Sequence, residues 1–182
     1  MEPQYLLAES LYSVVSFKPD PEKARDMVVK LSEFMRYALS RKDEQPVSLQ
    51  NELENLRLYL DIEKVRFGDK LTMEEDIDSN CLDFKIPVML LQPLYENAVK
   101  HGVYESTESV RIKTQAKIID GYFEIIISNN YETLPSLKRG TGTGLLNVSR
   151  RLELFYGNKA SIKTTKENGI YSVTLYIPKD YL

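Results

Sequence analysis

Val110, Ile112, Thr114, Ala116 and Ile118 alternate with Arg111, Lys113, Gln115 and Lys117. A period of two with one polar side describes a half-buried strand. Asp120-Gly121 then supplies a tight turn into a second run, Tyr122 to Ser128, so the pair reads as a hairpin. A hairpin with one apolar face is marginal in water and needs a covering layer. That requirement limits the chain to folds in which something else packs on this sheet.

The first third of the sequence offers helices for the purpose. Tyr5 to Phe17 carries Leu7, Leu11, Val14 and Val15 on one side. After Lys18-Pro-Asp-Pro21, Asp20 is suited to cap a helix with Pro21 at its first position. Ala24, Met27, Val28, Leu31, Phe34, Met35 and Ala38 then recur at helical spacing, ending near Leu39. A charged linker, Arg41 to Pro46, separates this helix from a third. Ser48 caps the third, which carries Leu53, Leu56, Leu60 and Phe67 and stops at Gly68. Leu31 and Met35 read as core or bundle seam, and Arg36, Arg41 and Lys42 as a solvated face.

Beyond Leu71 the helical period fades. Leu71, Met73 and Ile77 suggest a strand. Asn147 to Phe155 returns to helix and ends at Tyr156-Gly-Asn158. Ala160 to Thr165 and Ile170 to Ile177 form another hairpin across Glu167-Asn-Gly169, and Pro178 closes it. The expected class is α+β: an antiparallel or mixed sheet with helices on one face.

The charge balance excludes some functions. A net charge of −3 and a pI near 5.4 leave no basic footprint for nucleic acid. Cys81 is the single cysteine, which rules out an internal disulfide framework and fits a reducing compartment. Cys81 itself reads as inert. No apolar run reaches the roughly 18 residues of a membrane span. The opening Met1-Glu-Pro-Gln lacks the basic start of a signal peptide. A cytoplasmic protein is expected, or the cytoplasmic portion of an inner-membrane receptor, with any membrane anchorage in a part upstream of Met1.

Two stretches carry chemistry. In Leu90 to Gly102, apolar Val88, Leu91, Leu94, Tyr95 and Val99 fall at helical spacing, while Glu96, Asn97, Lys100 and His101 cluster elsewhere. Four such residues within six positions suggest a face turned to a polar ligand, although a solvated face is the plainer reading. His101 beside Gly102 reads equally as a helix-end residue. Gly140-Thr-Gly-Thr-Gly-Leu-Leu-Asn147 is a glycine-rich turn opening a helix. On its own it is a weak signal, readable as a flexible loop. In this order, separated by two strand-like runs, the two stretches point to a nucleotide site.

At these residues the chain resembles the cytoplasmic part of the LytS-type sensor histidine kinases. Their ATP-binding domain shares the Bergerat fold with DNA gyrase, heat-shock chaperones and mismatch-repair ATPases. The resemblance is carried by Asp20 to Arg25, Leu31 to Tyr37, Tyr59 to Gly68, Ile86 to Gly102, Gly140 to Asn147 and Arg150 to Gly157. It implies a two-layer α/β sandwich over residues 46–182, preceded by a helical dimerisation segment over residues 1–45. It implies Asn97 as a ligand of Mg²⁺ bridging ATP phosphates, since an amide oxygen is a hard ligand. Glu96 would polarise a water or the accepting group, as the candidate catalytic residue. Lys100 and His101 would lie near the phosphates, and Lys138 and Arg139 would clamp phosphate oxygens. Gly140, Gly142 and Gly144 would admit the triphosphate to the backbone and to a helix N-terminus. Implied partners are a second copy or a related chain, joined through the N-terminal helices, and a response regulator.

Two positions depart from the family pattern. The phosphoacceptor box falls on Pro3 to Val14 and sets Tyr5 where the family has histidine. A phenol with a pKa near 10 is almost wholly protonated at neutral pH, whereas imidazole, near 6.5, is not. The only histidine is His101, inside the nucleotide stretch. Autophosphorylation is therefore expected to be absent. The base-reading box, Asp-x-Gly in the family, has Asn129 for the aspartate and Tyr131 for the glycine. An uncharged acceptor weakens the bond to adenine by ~1 kcal/mol, and Tyr131 either stacks on the base or blocks it. Three functions follow: a nucleotide-binding kinase module, a non-catalytic pseudokinase scaffold, and, less well supported, a simple ATPase.

Overall fold

Ser48 and Gly68 bound a helix as their chemistry dictates. In the computed structural model, which describes residues 21–40, 45–103, 106–132 and 143–181, helix α2 runs Leu49–Phe67. Ser48 Oγ accepts from the Asn51 N–H at 3.3 Å, and Gly68 closes the helix at φ 58°. Helix α1, Pro21–Ser40, packs on α2 through Met27, Leu31 and Phe34, whose ring lies 6.1 Å from Tyr59. Arg36 is exposed, as a solvated face requires. The expected helix over Tyr5 to Phe17, the Asp20 cap, Tyr5, Lys138, Arg139, Gly140 and Gly142 lie outside the described residues.

The sheet holds β2 (Leu71–Ile77), β4 (Val110–Ile119), β5 (Tyr122–Asn130), β6 (Ser161–Glu167) and β7 (Ile170–Pro178). Their order is β2-β4-β5-β7-β6. Both expected hairpins form, with positive φ at Asp120 and Gly121 and at Asn168 and Gly169, and Glu167 belongs to the strand rather than to the turn. Every neighbouring pair is antiparallel except β2 with β4, which runs parallel from Leu71↔Val110 to Ile77↔Ala116. Parallel neighbours need a crossover. Residues 78–109 provide it, and helix α3 (Gln92–Ala98) lies within it.

One sheet face is apolar. Ile112, Ala116, Phe123, Ile125, Ile127, Val173, Leu175 and Ile177 are buried there in the common core with α2, α3 and α4 (Thr143–Tyr156). The other face carries cross-strand charge pairs: Glu74 with Arg111 at 3.3 Å and Glu124 with Lys117 at 3.2 Å. This is the expected two-layer arrangement.

Two details differ from the sequence reading. A two-residue ladder joins β1 (Val47–Ser48) to β3 (Lys85–Ile86), too short to leave a period. Val88 lies before α3 rather than on it. The chain turns at Met89, at φ 55°, and α3 begins only at Gln92. Cys81 is fully buried in a 3₁₀ turn, and burial pushes its thiol up to about 11, in keeping with an inert residue.

Candidate functional site

Helix α3 is held from below. Leu94, Tyr95 and Ala98 are buried, and the Tyr95 hydroxyl hydrogen-bonds Thr114 Oγ1 of β4. Burial drives the Tyr95 phenol far above its ordinary pKa, so it is a neutral structural anchor. With one side fixed, Glu96 and Asn97 sit half-buried toward the other, followed by exposed Lys100 and half-buried His101. The α-helix passes into a π-turn over Val99–Val103. Its Gly102 touches the sheet: a Cβ there would lie 2.9 Å from Val110 Cγ1 and 3.0 Å from Asn129 Nδ2.

That contact brings Asn129 to the end of α3. Asn129 is 4% exposed, on the helix-facing side of β5. Its Nδ2 donates to the Asn130 carbonyl at 2.9 Å, which leaves Oδ1 as the available acceptor. Asn130 ties the strand end down, accepting from the Arg111 N–H at 2.7 Å and donating to the Ser109 carbonyl at 3.0 Å. Tyr131 turns to the β6–β7 hairpin. Its N–H donates to the Gly169 carbonyl, and Lys166 Nζ stands 4.3 Å from its ring centroid.

Glu132 latches the next loop. Its carboxylate accepts from Ser106 Oγ at 2.6 Å, the Thr107 N–H at 3.0 Å and the Glu108 N–H at 2.8 Å. The Ser106 hydroxyl first, then the backbone N–H of Glu108, hold this carboxyl below its ordinary pKa. Nothing in the local sequence marks it, because its partners lie more than 20 residues away.

Helix α4 forms the facing wall. Gly144 sits in its first turn, where a Cβ would lie 3.7 Å from the Pro93 carbonyl of α3. Between the two helices opens a cleft of about 450 Å³, lined by Gln92, Pro93, Glu96, Gly144, Asn147 and Arg151 among others. Glu96 accepts from Gln92 Nε2 at 3.3 Å, and burial pushes its carboxyl above the usual range. Of the predicted residues, Glu96 and Gly144 share this cleft. Asn129 marks the other end of α3, and Asn97, Lys100 and His101 lie along α3 and its π-turn between these two corners.

Sequence reasoning does not mark Glu52 as a site residue. It is 1% exposed and accepts hydrogen bonds from Met89, Leu91 and Tyr37. The available signal was a glutamate set among Leu49, Leu53 and Leu56 on the apolar side of α2. Among the described residues no cluster of three or more His, Cys, Asp or Glu side chains could hold a metal. Nor, among them, is any helix long and apolar enough to cross a membrane.

A family model for histidine kinase matches residues 1–71. The sensor protein LytS of Staphylococcus saprophyticus is 31% identical over 171 residues, covering 87% of this chain and 29% of that protein. The sensor histidine kinase YpdA of Escherichia coli K12 is 34% identical over 181 residues, covering 90% and 30%. The chain thus spans under a third of the length of these relatives. The Acinetobacter baumannii histidine kinase AdeS superposes with a TM-score of 0.56 at 15% identity, over 98% of this chain and 96% of that one. The catalytic domain of histidine kinase ThkA gives 0.57 at 16% identity, over 75% and 96%. ThkA in complex with its response regulator TrrA gives 0.55 at 15%, over 98% and 58%. At such identities the structures establish a shared fold.

Proposed function

Since the chain belongs to the LytS-type sensor histidine kinases and shares the fold of histidine kinase catalytic domains, we propose that residues 46–182 bind ATP with Mg²⁺ at α3. Residues 1–45 serve as the helical segment through which the chain pairs with a second copy or a related kinase. The supporting observation is one juxtaposition: α3 presents Glu96 and Asn97, the π-turn that follows it carries Lys100, and Gly102 of that turn abuts Asn129.

Each residue has a physical role in this reading. The Asn97 side chain is partly exposed, and its amide oxygen is the kind of hard ligand that suits Mg²⁺. Asn97 would hold a Mg²⁺ ion accompanying the triphosphate, and the ion would supply neutralisation of phosphate charge; among the described residues no cluster of acidic, His or Cys side chains competes for it. Asn129 Oδ1 accepts from the adenine amine. Lys100, His101, Lys138 and Arg139 meet the phosphates, and Gly140, Gly142 and Gly144 let the triphosphate approach the N-terminus of α4. Catalysis would be positioning and electrostatics. A histidine nitrogen attacks the γ-phosphorus, the bond to the ADP oxygen breaks, and Glu96 takes the histidine's proton, a role its raised pKa suits.

Tyr5 replaces the histidine in this chain, so the accepting histidine belongs to a partner. The same substitution favours a second reading, a pseudokinase whose nucleotide binding switches a scaffold. A response regulator is the onward partner in the first reading, as TrrA is for ThkA. Both readings fit a cytoplasmic portion of a longer receptor. Incubation with radiolabelled ATP and Mg²⁺ tests them. We expect no acid-labile label on the wild-type chain and acid-labile label on Tyr5→His. Acid-labile label on the wild-type chain contradicts the assignment, and acid-stable label that Tyr5→Phe abolishes identifies Tyr5 itself as the acceptor.

A further inference from the structure

Glu52 is a buried carboxylate outside the cleft, and its bonds lead into it. Oε2 accepts from Tyr37 Oη of α1 at 3.0 Å and from the Met89 N–H at 2.9 Å. Oε1 accepts from the Leu91 N–H at 3.1 Å. The carbonyl of the same Met89 accepts from Arg151 Nη1 of α4 at 3.1 Å. Met89 stands at φ 55°, a left-handed conformation that a side-chain-bearing residue adopts rarely. It is gripped from both sides, its N–H by α2 and its C=O by α4. Helix α3 has no side-chain cap of its own; its cap position is Leu91, whose N–H Glu52 holds. Met89 and Arg151 both line the cleft.

We propose that Glu52 is a positioning residue for this cleft: it sets the Met89 turn, and with it the start of the helix bearing Glu96 and Asn97. Tyr37 extends the setting to α1. If α1 shifts, the carboxylate loses one of three donors, and a buried polar network responds strongly to a lost member. The place of the first helix is thereby felt at the wall of the cleft. For its functional consequence the proposal rests on the nucleotide reading above.

The test uses the full chain with Tyr37→Phe, Glu52→Gln and the double variant. Three quantities are read: amide hydrogen exchange at Met89 and Leu91, ATP–Mg²⁺ affinity well below the melting temperature, and the melting temperature itself. Each single variant is expected to speed exchange at these amides by about tenfold, the weight of one charge-assisted hydrogen bond, and to weaken nucleotide binding. In the double variant the tyrosine change adds nothing to Glu52→Gln. Unchanged exchange in Tyr37→Phe, a conservative change that keeps the ring, overturns the link to α1. Lower melting temperatures with wild-type affinity show a merely structural carboxylate and overturn the positioning role. A wild-type chain that takes up no nucleotide sinks the function reading instead, and the exchange rates alone then uphold or overturn the role of Glu52.

Discussion

Replacing Gly102 by alanine puts a methyl group where neighbours already stand. The new Cβ would lie 2.9 Å from Val110 Cγ1 and 3.0 Å from Asn129 Nδ2, against about 3.5–4.0 Å for relaxed contact. Val110 is 0% exposed and its branched side chain has little rotamer freedom. The Asn129 amide is fixed by its bond to the Asn130 carbonyl. Relief therefore requires Asn129 to swing or the π-turn to lift from β4. Overpacking of this kind costs about 1–3 kcal/mol, offset by up to about 1 kcal/mol of helical preference for alanine. A net loss of about 1–2 kcal/mol lowers the melting temperature by about 2–8 °C in a domain of this size. Gly157→Ala is the control. Gly157 sits at φ 59° with nothing within 4 Å of a Cβ, so its cost, about 1–2 kcal/mol, is backbone strain alone. Melting curves and ATP–Mg²⁺ titrations of both variants separate the effects. Both should melt earlier, but only Gly102→Ala should lose affinity, by about tenfold if one hydrogen bond to adenine is misplaced. Wild-type melting and affinity in Gly102→Ala would refute the close approach of α3 to Asn129. Equal affinity loss in both variants would refute its connection to the site.

Other consequences are independent of this one. The Ser106 hydroxyl and the Glu108 N–H hold the Glu132 carboxyl below its ordinary pKa, so its latch on the 106–108 turn is complete above the ordinary carboxylate range and is lost as pH falls through the lower folded value. Amide shifts of Thr107 and Glu108 should follow a midpoint below that of an exposed glutamate, and it should disappear in Glu132→Gln; a midpoint at or above that of an exposed glutamate contradicts the latch. Tyr95→Phe should destabilise by about 1–3 kcal/mol by leaving the buried Thr114 hydroxyl unpaired, and adding Thr114→Val should recover part of the loss. Chemical denaturation of the three variants measures this, and strictly additive losses would refute the pairing.

Much of the architecture is legible because it follows from short-range chemistry. Ser48, Gly68, Asp120-Gly121 and Asn168-Gly169 each fix a helix end or a turn from their own backbone preferences. The alternation in Val110–Ile118 fixes which strand face meets the helices, and Asn129, two residues beyond Ile127, inherits that face. Helical spacing from Val88 does not mean helix there, because an apolar spacing does not reveal the left-handed Met89, a conformation held by Glu52 and Arg151 from elsewhere in the chain. Glu132 and Glu52 leave no mark for the same reason: their meaning lies in partners 15 to 39 residues away. Periodicity reports which side of an element is buried, and long-range hydrogen bonds to backbone leave no period.

Isothermal titration of ATP–Mg²⁺ into the wild-type chain and Asn97→Ala, each shown to be folded by its melting curve, bears most directly on the nucleotide site. The expected result is saturable, Mg²⁺-dependent binding to the wild-type chain that Asn97→Ala loses while keeping its melting temperature. Absence of binding to the folded wild-type chain, or equal binding by Asn97→Ala with and without Mg²⁺, would contradict it.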